Sequence, residues 1–448
     1  MTQGSASLQG DDKFARATMR RVSVRILPLV FVLYVCNFLD RTNVAMAALQ
    51  MNRDLHFSSS AYGLGVGIFF VGYAIFEVPS NIILVRVGAS TWIARIMISW
   101  GLIASAMMFV RTPLHFYALR FLLGVAEAGF LPGIIYYLGQ WFPDAARARA
   151  TSWFMIAAPF SAVIGGPLGG ALLGMDGIFQ MAGWQWLFLL EGVPAILLGI
   201  LVLVSLPDNP SQARWLSSEQ CAWLTARLMH DQDGVAVSEG ASMFRTLMQK
   251  PLWLLITAYF LFFCLGFVYL FWAPTLIHEI LGGSEFETGV VVGIIALLST
   301  ASLLIVGVSS DRTGDRALHV MACALITAIG YAGAALFPTP IARICGLALV
   351  SIGTIAFLAP FWCIPSMLLG GTAAAAGIAL VNAIGSLGGF VGPYATGWIR
   401  DRTGGTSDAF LILACLAMLA AAIMFALSRY SVLAKPGARN RRLSRAAA

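Results

Sequence analysis

The sequence predicts an all-α polytopic membrane protein with twelve transmembrane helices in two six-helix halves and both termini in the cytoplasm. Three observations carry that prediction. The first is composition. Of 448 residues, 59% are hydrophobic and only 11% are charged, where an average soluble domain has roughly 45–50% and about 25%. Too few charged side chains remain to solvate a globular surface, and disorder requires the opposite balance. The second is the form of the apolar runs. They are continuous, as in IIALLSTASLLIVGV (294–308) and ILACLAMLAAAIMFAL (412–427), whereas a β-barrel alternates apolar with polar residues. A lipid-embedded backbone must satisfy its own polar groups, which leaves helices. The third is the placement of Lys and Arg. Segments on the N-terminal side of the membrane hold 20 of them and those on the opposite side hold 5, with Arg41, Arg95 and Arg120 inside spans. By the positive-inside rule, both ends face the cytoplasm.

The elements follow in chain order. Residues 1–25 form a polar cytoplasmic tail with Asp11, Asp12, Lys13, Arg16, Arg20, Arg21 and Arg25, and no cleavage signal follows it. The N-terminal half, 26–206, holds spans at 26–50, 61–85, 91–110, 115–138, 150–174 and 186–206. Each is close to the length of about 20 residues that crosses a bilayer. The stretch 207–250 is the longest polar segment and reads as a central cytoplasmic loop. The C-terminal half, 251–430, holds spans at 252–280, 289–309, 318–336, 342–368, 373–398 and 409–429, and a basic tail occupies 431–448. Paired halves around a midplane site are a plan of secondary transporters. The echo between GVSSDRTG (307–314) and GWIRDRTG (397–404) is the visible trace of a repeat. Glycine runs at 165–174 and 385–393 suit close helix packing and local bending.

Ionisable residues at bilayer depth are expensive and mark candidate sites. Span 1 carries Asp40 and Arg41, span 2 Glu77, span 4 Arg120 and Glu127, and span 6 Glu191. All belong to the first half, while the second offers aromatic and amide groups such as Tyr259, Trp272, Trp362 and Asn382. Arg120 and Glu127 are seven residues apart, which is two turns on one helix face, so both can point at one cavity. A buried carboxyl beside a cation can be tuned to load and release a proton. The other reading is an ion-pair network that ties spans 1 and 4 together. Adjacent Asp40 and Arg41 cannot share a helix face.

Other chemistries lack their residues. The three lysines (Lys13, Lys250, Lys435) include none after a glycine, so there is no Walker A loop and no ATP site. There is no HExxH, the five histidines are dispersed, and the seven cysteines form no CxxC pair, so the expectation is no metal, no cofactor and no enzyme. The net charge of +7 sits at the ends and in short loops, which argues against a nucleic-acid partner.

Several blocks look familiar. Gly307, Asp311, Arg312, Gly314 and Arg316, between spans 8 and 9, resemble the loop motif of the major facilitator superfamily. More specific are NFLDRTNV (37–44), FEVPSN (76–81), WIARIM (92–97), RFLLGVAEAGFLPG (120–133) and GWQWLFLLEGVPA (183–195). In that order they resemble the anion:cation symporter family, whose bacterial members include permeases for tartrate, phthalate, hydroxyphenylacetate, nicotinate and sugar acids. The resemblance covers all twelve spans. It implies the major facilitator fold in the bacterial inner membrane and proton-coupled uptake of a small organic anion, with protons and lipid as the other partners and the proton gradient as driver. It also implies that Asp40 and Glu127 take up protons, that Arg41 and Arg120 lie near the anion, and that Tyr73, Glu77, Trp362 and Asn382 line the substrate cavity. Gly307, Asp311, Arg312 and Arg316 would latch neighbouring helix ends. Phe38, Glu77 and Tyr259 depart from residues common in relatives. Efflux of a small hydrophobic compound and a non-transporting membrane sensor remain the alternatives.

Overall fold

The computed structural model describes residues 3–233, 249–368 and 372–429. The basic tail 431–448 and part of the central loop, 234–248, lie outside them. The described chain is a succession of helices: α1 (Gln3–Asp54), α2 (Ser59–Val87), α3 (Ala89–Ala106), α4 (Pro113–Glu127), α5 (Phe130–Gly139), α6 (Asp144–Met155), α7 (Ala157–Leu173), α8 (Gly183–Ser205) and α9 (Ser218–Asp233). After the central loop come α10 (Lys250–Leu281), α11 (Glu285–Thr313), α12 (Arg316–Leu336), α13 (Pro340–Ala356), α14 (Leu358–Phe361), α15 (Cys363–Leu368), α16 (Thr372–Ser386), α17 (Gly388–Thr403) and α18 (Ser407–Ser428). Among the described residues, eleven helical stretches are long and apolar enough to cross a membrane. The eleventh expected span, 373–398, falls on the shorter helices α16 and α17. They meet at Leu387, whose φ of −63° and ψ of −21° stay helical, so the joint is a bend.

Local chemistry sets the helix ends. Ser58 accepts from the Ala61 amide to cap α2, and Thr112 caps α4 ahead of Pro113 at its first turn. Ser284 and Glu287 form a reciprocal capping box at the start of α11. Gly88, at φ +103°, turns the chain between α2 and α3, and the Asp208 carboxylate accepts from the Ser90 amide at 2.7 Å.

Three features add detail to the expected elements. First, α1 begins at Gln3 and runs unbroken through the supposed tail, because the central loop supplies a partner for it. Phe14 meets Trp223 of α9 edge-on at 6.4 Å, Arg21 donates to Gln220, and Val22 is buried. Second, the loop 207–250 is structured at least as far as Asp233. Its Trp215 stacks on Trp141 at 5.5 Å and Leu224 is buried, which anchors α9. Third, the fourth and tenth spans are not continuous. The fourth breaks at Ala128–Gly129, and the tenth is divided among α13, α14 and α15.

Helices before the central loop pack chiefly on one another: α3 on α8, α2 on α4, and α1 on α7 and α8. Those after it do the same, with α12 on α13 and α18, and α11 on α13. The two sets meet through α2 with α17, α7 with α11, and α1 with α10. The glycine runs form these seams. A Cβ at Gly166 would sit 2.4 Å from the Gly289 carbonyl oxygen, and one at Gly63 would sit 2.5 Å from that of Pro393.

The seams lie at one end of the molecule. Asp401 of α17 accepts from the Ser59 and Ser60 amides at 2.9 and 2.7 Å, and Tyr62 donates to the Phe271 carbonyl. Gln50 reaches Glu285 at 3.3 Å. The opposite end holds the start of α1 against α9, and the start of α10 beside the end of α18, where Leu252 and Leu427 share one core.

Candidate functional site

Between the seam and that opposite end, α1, α2 and α4 bring the first-half charges together. Glycine makes this approach possible. A Cβ on Gly124 would lie 2.1 Å from the Phe69 carbonyl oxygen, and one on Gly65 would lie 2.0 Å from the Phe116 ring. The break after Glu127 matters equally. Gly129 sits at φ +87°, and a Cβ there would lie 2.4 Å from Ser80 Oγ. Ser80 donates to the freed Ala128 carbonyl at 2.6 Å and accepts from Trp92 Nε1. Glu127 is therefore the last residue of a rigid helix, held by a turn in which only glycine fits.

The central contact joins α1 to α4. An Arg41 side-chain nitrogen donates to Glu127 Oε2 at 2.7 Å. Glu127 is fully buried, and its Oε1 has no partner. The Arg41 side chain is 21% exposed, and its guanidinium lies 5.6 Å from the Phe69 ring and 5.4 Å from the Tyr73 ring. Those faces add cation–π attraction. The expected meeting of Glu127 with a basic residue occurs, but the ion-pair partner is Arg41 rather than Arg120 of its own helix.

Arg120 does not open onto accessible space. It is 1% exposed, and its guanidinium stands 4.8 Å from the Phe69 ring centre, with Nε donating to the Gly65 carbonyl at 3.4 Å. Asp40 is also 1% exposed and accepts from Asn43 Nδ2 at 3.1 Å, leaving Oδ2 unpartnered. Asp40 and Arg41 diverge as adjacent helix residues must. Arg41 faces Tyr73 and Glu127, while Asp40 turns inward with Arg120 in Coulombic range.

The remaining expected residues are spread out. Tyr73 lies against Arg41, and Glu77, one turn further on, is half-buried within the field of Arg41. Trp362 occupies the joint between α14 and α15. It packs edge-on to Tyr259 at 5.0 Å in an aromatic wall with Phe361 and Phe263. Asn382 is half-buried on α16, and its carbonyl accepts from Ser386. At the terminal end, Asp311 pairs with Arg316 at 2.5 Å across a turn whose Gly314 has φ +71°. That pair staples α11 to α12, Arg316 also donates to Ser310, and Arg312 is exposed. Gly307 lies two turns up α11, where a Cβ would meet the Ala359 methyl at 3.4 Å.

Sequence reasoning missed Asn43, Ser80, Phe69 and Asp401. Asn43 had a readable signal, since it lies one turn after Asp40 in NFLDRTNV. Ser80 and Asp401 act on partners 48 and 341–342 residues away, which no local pattern marks.

The profile of the Major Facilitator Superfamily matches residues 30–393. A protein of Agrobacterium vitis named for tartrate transport is 44% identical over 92% of this chain and 94% of its own length. A quinolone resistance transporter of Acinetobacter baumannii is 40% identical over 87% of this chain and 90% of its own. Among solved structures, a bacterial homologue of the human lysosomal transporter Spinster superposes with a TM-score of 0.79. It is 17% identical, with 93% of this chain and 99% of that one covered.

Proposed function

This chain belongs to the Major Facilitator Superfamily and is a multi-pass transporter of the plasma membrane rather than an enzyme, and from that premise we propose that it takes up a small organic anion together with protons. In this reading α16 and α17 together make the eleventh of twelve crossings, both termini are cytoplasmic, and the seam closes the outer side. The opposite end then faces the cytoplasm.

The observation that carries the reading is the Arg41–Glu127 pair, a cation only partly covered by the protein and held by a fully buried carboxylate. An incoming carboxylate competes with Glu127 for Arg41. A buried carboxylate that loses its cation is strongly destabilised, and taking up a proton removes that charge. Anion binding and proton binding then favour each other, which is the thermodynamic requirement for symport. Tyr73 and Glu77 flank the anion site, and Trp362 and Asn382 form its opposite wall. Arg120 and Asp40, both buried, act as a fixed field. Carrying one net positive charge inward gains about 2.3 kcal/mol per 100 mV of membrane potential, so more protons than anion charges make uptake concentrative. The name of the Agrobacterium relative makes tartrate the first anion to try.

The test is Glu127→Gln in proteoliposomes. It is expected to abolish pH-driven accumulation while sparing exchange of internal for external anion. Accumulation by Glu127→Gln under a pH gradient would overturn the coupling role.

A second reading, efflux of a small hydrophobic compound, draws on the quinolone-resistance relative and on the aromatic wall, where Tyr259 stacks on Phe361 at 4.9 Å. Proton-dependent expulsion of a fluoroquinolone, with no response to any anion, would establish it instead.

A further inference from the structure

We propose that Ser80 and Trp92 are positioning residues that hold Glu127 against Arg41, so that α2 and α3 act on the coupling site through the end of α4. Their part in transport rests on the proton-coupled reading above, but the hold on Glu127 does not.

Three sequence blocks meet at this point. They are FEVPSN (76–81) of α2, WIARIM (92–97) of α3, and RFLLGVAEAGFLPG (120–133), which spans the break between α4 and α5. The break frees a carbonyl. Ala128 donates its N–H to the Gly124 carbonyl at 3.1 Å and so closes α4, but its ψ of 128° is extended and its own carbonyl leaves the helix. Ala128 and Ser80 are both buried, and a buried carbonyl needs a partner. Ser80 Oγ supplies it, with an O–H to that carbonyl at 2.6 Å.

The serine oxygen is fixed in turn. Trp92 Nε1 donates to it at 2.9 Å, and the Arg95 guanidinium lies 3.9 Å from the Trp92 ring centre, which favours one setting of the indole. Hydrogen bonds in a chain polarise one another, so the N–H that Ser80 receives strengthens the O–H it gives. The first turn of α5 rests on the same two helices. A Cβ at Gly133 would lie 2.5 Å from Leu84 of α2 and 3.8 Å from Ile93 of α3. Trp92 itself stands in the first turn of α3, just after the Gly88 turn whose Ser90 amide is held by Asp208. A continuous set of contacts therefore runs from that turn to the residue next to Glu127.

Glu127 depends on this support because little else restrains it. Among the described residues, its carboxylate has one hydrogen-bonded partner, Arg41 at 2.7 Å, and its Oε1 has none. The direction of the side chain is then set by the backbone at 127–128, which is what Ser80 pins. Without the Ser80 hydroxyl, the Ala128 carbonyl and the Trp92 N–H both lose their partner. An unpaired buried carbonyl is costly, so the peptide turns to find another donor and carries the carboxylate away from Arg41.

Thermal unfolding of the purified protein in lipid tests the hold without any anion. Ser80→Ala, and Trp92→Phe, which keeps an aromatic ring under Arg95, should each lower the melting temperature. Their losses should shrink by about half or more in a Glu127→Gln background, since the ion pair they protect is already gone. A role confined to supporting the turn gives full, additive losses. In proteoliposomes, the plateau of anion accumulation driven by a pH gradient should fall severalfold in both variants, while exchange of internal for external anion persists. The plateau reports coupling rather than the number of active molecules, so a folding defect alone only slows its approach. Additive thermal losses, an unchanged melting temperature in Ser80→Ala, or a wild-type plateau in both variants would overturn the positioning role. If the wild type accumulates no anion, the symport reading falls and the thermal comparison decides alone.

Discussion

Replacing Glu127 with glutamine should tighten anion binding while it abolishes accumulation. In the resting site an anion must displace Glu127 from Arg41, a charge-assisted contact of 2.7 Å to a fully buried oxygen. Beyond the hydrogen bond that Arg41 gives to any acceptor, the ion pair adds Coulombic attraction, worth up to about 1 kcal/mol for an exposed pair and about 3–5 kcal/mol where a fully buried pair is broken. Glutamine can still accept from Arg41, so the contact an anion must displace weakens by about 1–1.5 kcal/mol. At 1.4 kcal/mol per decade, affinity at alkaline pH should rise about five- to tenfold. It should also lose its dependence on pH, since residue 127 no longer titrates. The variant should be less stable, by less than the roughly 3–5 kcal/mol of breaking a fully buried pair. Arg41 is partly exposed and keeps the Phe69 and Tyr73 faces. Calorimetric titration at pH 6 and pH 8, with tartrate or whichever anion drives uptake, measures both effects. Equal or weaker binding at pH 8 would refute competition between Glu127 and the anion.

Further expectations concern the supports of the site. Gly129→Ala places a side chain at φ +87° against Ser80; strain of about 1–3 kcal/mol should lower the melting temperature, and an unchanged Tm would mean the turn relaxes freely. Asp401→Asn weakens the clasp on the Ser59 and Ser60 amides. A loss of about 0.5–1 kcal/mol should raise the open fraction at the seam about two- to fivefold, read from spin labels at Arg53 and Arg402 in a cysteine-free background. Burial pushes the Asp401 carboxyl up, but donors from Ser60 and Ser59 outweigh it and hold the group below its ordinary value. Its contribution is then present above the ordinary Asp range and lost as pH falls through the lower folded value, so the effect of Asp401→Asn should be equal at pH 6 and pH 8. Asp311→Ala removes a pair whose carboxylate is 69% exposed; its stability effect should stay within about 1 kcal/mol, with turnover changing more than apparent affinity.

The helical, polytopic architecture was legible because every crossing must be a long apolar run, and lipid allows no cheaper alternative. The breaks were not, because they depend on distant partners. Nothing near Gly129 announces that Ser80 will satisfy the Ala128 carbonyl. The N-terminal helix was hidden for the same reason, since Phe14 reads as one apolar residue in a polar tail until Trp223 is placed beside it. At the site, residue identities were readable from their cost at depth, but pairing was not. The seven-residue spacing puts Arg120 and Glu127 on one face, yet the rotation of α1 gives Glu127 to Arg41 and turns Arg120 toward Gly65. The DRTG echo was visible too, though its two copies do different things. One staples α11 to α12 through Asp311, and the other clasps the two helix sets through Asp401.

Proton-coupled anion uptake is tested most directly in proteoliposomes of the purified protein, with internal pH recorded while tartrate, sugar acids and aromatic acids are added in turn. Acidification that requires the protein, follows one class of anion and disappears in Glu127→Gln is the expected result. Anion entry without any protein-dependent change of internal pH would contradict proton coupling outright.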